Sequence, residues 1–351
     1  MSREEKVRNS RGESVELLTL KERVHQTLAQ VNLGAFEIVG FEPMTGGACQ
    51  ENFSLKLRVD EEPLRLCLRS DALTSLPGSI ARRQEYEVIR AAVSEGVPTA
   101  NAQWLTEGLI RDGASAYFLD WLDGEAIGAR VTKHPKYDVG RRHLPRQLAK
   151  ALAAIHRITP ETHGELPLNR EPFLKTANPL EATLSFVRSM LDTLPEARPA
   201  SELVWQWLRS TMPSADRLTL VHADFRTGNF MVNSDGLVGV LDWEFAHWGD
   251  PVEDLGWLCV RDWRFGSIHR PAGGLTTRAD FCALYEEAAG VKISPSHLHW
   301  WEVCGNLRWG VAAAIQGQRY LAGGDFELLA IPRRAVEMEY EALRLIEVGA
   351  S

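Results

Sequence analysis

Two aspartates and an asparagine lie close together in the second half of the chain. Asp224 and Asn229 are separated by four residues, and Asp242 follows further along. An isolated carboxylate can orient a hydroxyl group and accept its proton, while a carboxylate and an amide oxygen are ligands that Mg²⁺ prefers. Phosphoryl transfer from a nucleotide needs both, because positioning and charge stabilisation supply most of its rate. The spacing predicts this chemistry, with Asp224 as the catalytic residue and Asn229 and Asp242 as metal ligands.

The residues between these groups predict a β-hairpin. Residues 230–232 and 237–241 are mostly apolar, and Ser234-Asp235-Gly236 between them is typical of a tight turn. Such a hairpin would hold Asp224 and Asn229 before its first strand and Asp242 at the end of its second. An ordinary surface hairpin is the alternative, but both spacings together favour a catalytic loop.

The same residues carry a resemblance to a known family. His222-Ala223-Asp224, Asn229 and Asp242-Trp243-Glu244 resemble the motifs of the aminoglycoside phosphotransferase and choline kinase-like family, in which His-Gly-Asp is usual. Segments 251–255 and 263–266 are similar to its branch related to acyl-CoA dehydrogenase-associated phosphotransferase domains. The resemblance covers residue 36 to the C-terminus. It implies an α+β, two-lobed protein-kinase-like fold, with a small antiparallel-sheet N-lobe and a larger, mostly helical C-lobe.

The pattern of apolar residues predicts the helices and strands that position these site residues. We expect an N-terminal helical extension over residues 1–34, with its helix at 15–33; a partner-binding arm is the alternative. Residues 35–123 would form the nucleotide-binding N-lobe, because strand patterns recur at 36–59, 64–69, 104–105 and 117–119, with a helix at 82–93. Residues 124–351 would form the C-lobe, with the catalytic loop and the acceptor site.

In the N-lobe, the glycine-containing turn at 45–52 could offer backbone N–H groups to phosphates. The kinase pattern places a small residue against adenine and a cation on the phosphates two positions apart on one strand. We therefore expect nucleotide contacts from eight residues: Gly46, Gly47, Ala48, Cys67, Arg69, Glu85, Asp120 and Leu122. Arg69 stands where most kinases have lysine, and Glu85 would pair with it. The backbone of Asp120 and Leu122 would bind the adenine edge. A solvated arginine and a surface glutamate are the alternatives for that pair.

Helices are expected in the C-lobe at 144–158, 180–194, 201–212, 253–260, 294–319 and 333–348, with Ser201 as an N-cap and a turn at 247–251. His156 is expected to be a hydrogen-bonded structural histidine. Asp250 could orient the catalytic loop, and Asp254 could cap the start of a helix. An anionic acceptor would be served by Arg264, Arg270 and Arg308. His299, Glu302 and Asn306 could face it, although a packed aromatic core is preferred for this helix.

Composition restricts the compartment and the partners. The chain has 351 residues and a net charge of −8, so nucleic acid is not an expected partner. Five cysteines without a Cys-x-x-Cys pair favour reduced thiols in a cytoplasmic location and oppose a structural zinc site. No apolar run has the length of a membrane span, and residues 1–16 lack the apolar core of a signal peptide.

The leading hypothesis is an ATP- and Mg²⁺-dependent kinase that phosphorylates a hydroxyl group of a small molecule. His222 would brace the loop. Arg226 would contact the γ-phosphate or the acceptor, with a surface salt bridge as an equal alternative. The acceptor could be an aminoglycoside, a hydroxyacyl-CoA thioester or an amino alcohol such as choline or homoserine. The alternative function is a nucleotide-binding regulator without catalytic activity. A homodimer is compatible with the sequence.

Overall fold

The computed structural model describes residues 6–8, 14–44, 51–71, 76–168, 178–215, 217–322 and 330–350. The expected phosphate contacts of Gly46, Gly47 and Ala48 lie outside these residues. The chain divides into two compact units, Met1–Val93 with Ala100–Leu122 and Ser94–Thr99 with Asp123–Ser351.

The first unit is built on an antiparallel sheet of five strands, in the spatial order Phe36–Pro43, Glu51–Val59, Glu62–Ser70, Ser115–Asp120 and Ala102–Glu107. Its elements are β1 Lys6–Arg8, β2 Ser14–Glu16, α1 Leu17–Ala29, β3 Phe36–Pro43, β4 Glu51–Val59, β5 Glu62–Ser70, α2 Arg82–Ser94, β6 Ala102–Glu107 and β7 Ser115–Asp120. Leucines at alternate positions of β4 and β5 form one core with α1, and Leu55, Leu66 and Leu68 have no exposed surface. Alternation thus gives each strand one buried face.

The second unit is mainly helical. Its elements are α3 Gly128–Lys133, α4 Asp138–Ile155, α5 Pro179–Leu191, α6 Pro199–Ser210, β8 Thr219–Val221, β9 Phe230–Val232, β10 Leu237–Val240, β11 His247–Gly249, α7 Val252–Leu258, α8 Arg278–Ala289, α9 Pro295–Leu321 and α10 Arg333–Val348, with 3₁₀ turns at Pro135–Tyr137 and Arg261–Arg264. The expected hairpin is present, since β9 and β10 pair in antiparallel fashion.

Two local expectations were wrong. Residues 247–249 are not a turn but strand β11, which pairs with β8 ahead of the catalytic loop. Ser201 is not an N-cap, because α6 begins two residues earlier at Pro199, and the Ser201 hydroxyl donates to Glu339 Oε1 at 2.6 Å. Helix α8 was not expected at all.

Among the described residues, no helix combines the length and the apolar character needed to cross a membrane.

Candidate active site

The loop between β8 and β9 carries the candidate catalytic residues. The backbone N–H groups of His222 and Ala223 donate to the two carboxylate oxygens of Asp254, each at 2.8 Å. At the far end of the loop, Leu241 N donates to Asn229 O at 2.8 Å. This bond brings the end of β10 to the loop and places Asp242 one residue beyond the contact.

Ala223 and Asp242 have left-handed backbones, with φ values of 63° and 69°. Residues other than glycine seldom adopt this conformation, and where they do it often marks a functional site. The usual family glycine at position 223 has a physical reason here, because glycine alone reaches this φ without a Cβ penalty. Ala223 keeps the conformation because both its backbone groups are bonded, its N–H to Asp254 and its carbonyl oxygen to Arg308.

The Asp224 carboxylate is held by three donors. Its Oδ1 accepts from Arg226 Nε and from Trp257 Nε1, both at 2.9 Å. Its Oδ2 accepts from Asn229 Nδ2 at 2.5 Å. Asp224 is 7% exposed, so the carboxylate is oriented by protein groups and still reaches the surface.

The amide of Asn229 is oriented as well. Its Nδ2 donates to the backbone oxygen of Asp224 at 3.1 Å and to the Asp224 carboxylate. Both amide hydrogens are directed at Asp224, so the opposite side of the group presents the amide oxygen. The structure thus brings Asp224 and Asn229 into direct contact, and the bond from Leu241 to Asn229 brings the backbone next to Asp242 to the same loop.

His222 is fully buried and fixes the loop from inside. Its Nδ1 accepts from Asp224 N at 3.2 Å, and its Nε2 lies 3.1 Å from Leu241 O. These partners require a neutral ring with the proton on Nε2. Burial lowers the pKa of His222 and outweighs the opposing effect of the nearby carboxylates. A neutral imidazole therefore joins the loop to the end of β10.

Asp250 and Asp254 have each other's expected role: Asp254 holds the loop, and Asp250 caps the start of the helix. Asp254 lies in the first turn of α7, yet its carboxylate accepts from the catalytic-loop backbone and from His156, whose Nε2 is 3.2 Å away. Burial alone would raise the pKa of Asp254, but the hydrogen bond and charge of His156 lower it. Asp250 instead serves the helix start, where its Oδ1 accepts from Val252 N at 3.0 Å.

His156 is the hydrogen-bonded structural histidine that the sequence predicted. It is 1% exposed, and its Nδ1 lies 2.7 Å from the hydroxyl of Tyr285. With Asp254 on its other nitrogen, it ties α4 and α8 to the catalytic loop.

Arg264 and Arg308 are not placed to receive an anionic acceptor. Arg264 is 1% exposed and bonded to Cys259 O, Glu302 and Glu341. Arg308 donates to Glu253 Oε1 at 2.5 Å and to Ala223 O at 2.7 Å. Both guanidinium groups hold the protein together, whereas Arg270 is exposed. Glu302 and Asn306 are buried in α9 and serve this packing.

Trp257 is a site residue that the sequence reasoning missed. It lies on α7 three positions after Asp254, so both side chains share one face of the helix and reach the loop. The guanidinium of Arg308 lies 4.0 Å from the Trp257 ring centroid, and that of Arg226 lies 4.5 Å from the ring of Trp263. In the sequence, only the i, i+3 spacing from Asp254 indicated that Trp257 belongs to the site.

The first unit contains the expected pair of Arg69 and Glu85. Arg69 Nε and Nη2 donate to the two oxygens of Glu85 at 3.0 and 2.8 Å. Arg82 Nη1 and the Tyr117 hydroxyl also donate to Glu85, at 2.6 and 2.7 Å. Burial opposes the charge, but the two arginines lower the pKa of Glu85 to about 2.

Of the other described nucleotide contacts that we expected, Cys67 and Asp120 lie on the same sheet, and Leu122 follows its strand β7. Cys67 is half-buried on β5, and its Sγ is 3.8 Å from Met44 Sδ. Burial raises the pKa of the Cys67 thiol to about 11, so the side chain is neutral. The N–H of Asp120 donates to Asn101 O at 3.1 Å, and Leu122 is the last residue of the unit.

Relatives of the chain are known from sequence. Over 215 residues it is 25% identical to acyl-CoA dehydrogenase family member 10 of Mus musculus. The match covers 60% of this chain but only 19% of the mouse protein, so the chain spans about a fifth of that relative's length.

Solved structures with a similar fold are phosphotransferases. A candidate aminoglycoside phosphotransferase from Ralstonia eutropha has a TM-score of 0.71 at 21% identity, over 93% of this chain and 98% of that one. The choline kinase of Streptococcus pneumoniae has a TM-score of 0.56 at 15% identity, over 94% and 100%. Spectinomycin phosphotransferase in complex with ADP and spectinomycin has a TM-score of 0.58 at 13% identity, over 91% and 98%.

These neighbours confirm the kinase-like α+β fold that the sequence resemblance implied. The sequence model of the phosphotransferase enzyme family matches residues 42–291, well over half of the chain, and includes both acidic motifs. The chain therefore belongs to the phosphotransferase enzyme family and is a kinase-like enzyme of that class.

Proposed function

We propose that the chain transfers the γ-phosphoryl group of ATP to a hydroxyl group of a small molecule. The observation that carries this proposal is the Asp224 carboxylate, held by donors from Arg226, Asn229 and Trp257 at 2.5 to 2.9 Å. A carboxylate held in a fixed orientation in this way can act as a general base and accept a proton from a hydroxyl group. Family membership supplies the class of reaction.

The two oxygens of Asp224 differ in what they can still accept. A carboxylate offers about four lone-pair sites, two on each oxygen. Oδ1 already accepts two hydrogen bonds and Oδ2 accepts one. Oδ2 is therefore the atom on which we place the acceptor hydroxyl, which it orients and from which it takes the proton.

The residues present fit a magnesium ion. Mg²⁺ is held in nucleotide sites by one or two protein oxygens together with phosphates and water. Asn229 turns its amide oxygen away from Asp224, and Asp242 directly follows Leu241, whose N–H is bonded to Asn229 O. We assign Asn229 and Asp242 as the ligands. When bound, the ion neutralises charge on the triphosphate.

The remaining loop residues have supporting roles in this proposal. Arg226 uses Nε on Asp224 and stacks on Trp263, so its terminal nitrogens would bind the γ-phosphate or the acceptor. His222 braces the loop through Leu241 O. Arg69, set by Glu85, would bind phosphates, while Cys67 and the backbone of Asp120 and Leu122 would bind adenine.

The lobe assignment is part of the proposal. Residues 35–123 would bind the nucleotide, and residues 124–351 would supply the catalytic loop and the acceptor site. Residues 1–34 would be an extension of the first lobe.

A hydroxyacyl-CoA thioester is the second candidate for the acceptor, beside the antibiotics and amino alcohols named for the structural neighbours. The observation that favours it is the match to acyl-CoA dehydrogenase family member 10, although identity is 25%. Arg264 and Arg308 give it no support, because both are engaged by carboxylates within the protein.

The deciding experiment is a screen of acceptors with ATP and Mg²⁺, read by product mass. The panel should hold an aminoglycoside, choline, homoserine and a hydroxyacyl-CoA. The expected result is one class that gains a phosphoryl group with release of ADP. Tight binding of Mg²⁺ and ATP without turnover on any class would favour the non-catalytic regulator.

A further inference from the structure

We propose that a cavity between α8, the start of α9 and the end of α10 binds a small carboxylate with a short apolar body. The cavity has a volume of about 290 Å³. That is near the low end of ligand pockets, which hold roughly 300–1,000 Å³. Its apolar wall includes Ala279, Ala283, Ile293, Leu298, Leu345 and Val348. Asp224, Asn229 and Asp242 do not line it, so the cavity is separate from the candidate active site.

An ionic cluster with excess positive charge borders the cavity and contributes Arg278, Glu302 and Arg344 to its wall. Glu302 accepts from Arg264 and Arg278, and Glu341 accepts from Arg261, Arg264 and Arg344. Four guanidinium groups thus share two carboxylates, which leaves two positive charges unbalanced within the cluster. The glutamate side chains are 1% and 0% exposed, whereas Arg278 and Arg344 are 29% and 37% exposed.

Two arginines of the cluster, Arg278 and Arg344, line the cavity. Arg278 uses Nε and Nη2 on Glu302, and Arg344 uses Nε and Nη2 on Glu341. Each retains Nη1 without a hydrogen bond to any described residue. His299 also lines the cavity, and its buried Nε2 has no partner among the described residues.

Burial lowers the pKa of His299, so the ring is neutral and Nε2 can serve as one more hydrogen-bonding atom. The remaining acid in the wall, Glu286, is occupied by Lys292 Nζ at 2.6 Å and by Ile293 N at 2.9 Å.

This arrangement selects the chemistry of the ligand. The two arginines favour one or two negative charges, and a planar carboxylate matches the guanidinium fork. The apolar residues favour a short hydrocarbon body attached to that charge. A neutral molecule of the same size would gain the apolar contacts alone, and a cation would be repelled.

The test is isothermal titration of the full chain with hexanoate, 1-hexanol and hexylamine. We expect hexanoate to bind roughly tenfold more tightly than either of the others, because hydrogen bonds to charged groups carry this difference. Arg344→Gln should weaken hexanoate by roughly tenfold and leave 1-hexanol unchanged. Equal binding of hexanoate and 1-hexanol, or no binding of hexanoate, overturns the proposal.

Two further variants locate the site and separate it from catalysis. Ala283→Phe should fill the cavity and abolish hexanoate binding, whereas Ala288→Phe, on the same helix and outside the cavity, should not change it. Asp224→Asn should leave hexanoate binding intact. Loss of binding in Asp224→Asn would place the carboxylate in the active site and overturn the inference, whatever the enzyme's activity.

Discussion

Two buried carboxylates, Glu85 in the first unit and Asp224 in the second, have similar partners and different surroundings. Each accepts from an arginine and from an aromatic side chain, Tyr117 for Glu85 and Trp257 for Asp224. Glu85 accepts four hydrogen bonds from described residues, and Asp224 accepts three. Their side chains are 1% and 10% exposed.

In the proposed function, this difference separates a structural acid, Glu85, from a catalytic one, Asp224. Oε2 of Glu85 accepts three of the four hydrogen bonds and Oε1 accepts the fourth, so both oxygens are held by buried groups of the protein. Two guanidinium groups also balance its charge and lower its pKa to about 2. Asp224 has one cationic neighbour and two neutral donors, and its side chain keeps more exposed surface than that of Glu85. In the proposed function, the exposed part of this carboxylate receives the substrate hydroxyl.

The largest effect on activity is expected from Asp224→Asn. The amide has nearly the same shape but cannot take a proton, so kcat should fall about 10²–10⁴-fold. Nucleotide binding, followed by titration calorimetry, should persist. Asp235→Asn in the exposed hairpin turn is the matched control and should keep wild-type turnover. A kcat for Asp224→Asn within a factor of a few of wild type would remove Asp224 from the mechanism.

The largest effect on stability is expected from Glu85→Gln. Loss of the carboxylate leaves Arg69 and Arg82 buried without their counter-ion, which costs about 3–5 kcal/mol of unfolding free energy. Urea unfolding followed by circular dichroism measures this loss. Glu107→Gln is the control, because Glu107 pairs with Arg83 at the surface and such pairs contribute about 0–1 kcal/mol. Equal losses of unfolding free energy in Glu85→Gln and Glu107→Gln would show that Glu85 is not a buried structural acid.

The contribution of Glu85 also has a defined pH dependence. Its folded pKa, about 2, lies below the ordinary glutamate value of 4.5, so the folded state binds fewer protons than the unfolded state between these values. The stabilisation is complete above pH 4.5 and is lost as the pH falls toward 2. The difference in stability between wild type and Glu85→Gln should shrink over this interval.

The sequence was sufficient where the information is local. Period-two alternation placed the leucines of β4 and β5 in the core, and motif spacing brought Asp224, Asn229 and the hairpin together. The Arg69–Glu85 pair followed from the order of a strand and a helix. These features depend on neighbours along the chain, which the sequence displays directly.

The sequence was insufficient where a partner is distant. Nothing near Arg264 shows that Glu302 and Glu341 will bury it, because the partners lie on α9 and α10. Asp250 and Asp254 are equivalent by type and spacing, and only the packing of α7 decides which one reaches the loop. Trp257 was missed for the same reason, because its contact with Asp224 also depends on that packing.

A smaller effect on activity is expected from Trp257→Phe. The change removes one donor from Asp224 Oδ1 and keeps most of the ring that packs against Arg308. A hydrogen bond to a charged group contributes about 1.5–3 kcal/mol, so kcat should fall roughly 10- to 100-fold with the nucleotide KM unchanged.

Trp300→Phe is the matched control for this variant, because the Trp300 indole donates to Leu208 O and not to the loop. Trp257→His, which retains an N–H donor, should recover part of the lost kcat. If both tryptophan variants lower kcat equally, Trp257 acts on packing and not on the orientation of Asp224.

The smallest effect is expected from Ala223→Gly, which tests a further difference between the two regions. Glu85 lies in a regular helix, whereas Asp224 follows a residue with φ of 63°. A left-handed alanine costs about 1–2 kcal/mol, and glycine loses about 0.5–1 kcal/mol more chain entropy on folding. The variant should therefore be as stable as wild type or up to about 1 kcal/mol more stable.

Activity should be kept in Ala223→Gly, because the bonds to Asp254 and Arg308 are made by backbone atoms that glycine retains. Ala153→Gly in the buried interior of α4 is the control and should lose about 1 kcal/mol, since no strain is relieved there. Urea unfolding measures the unfolding free energy of both variants. If Ala223→Gly is destabilised as much as Ala153→Gly, the loop holds no strain that glycine would remove, and the frequent glycine of the family needs another explanation.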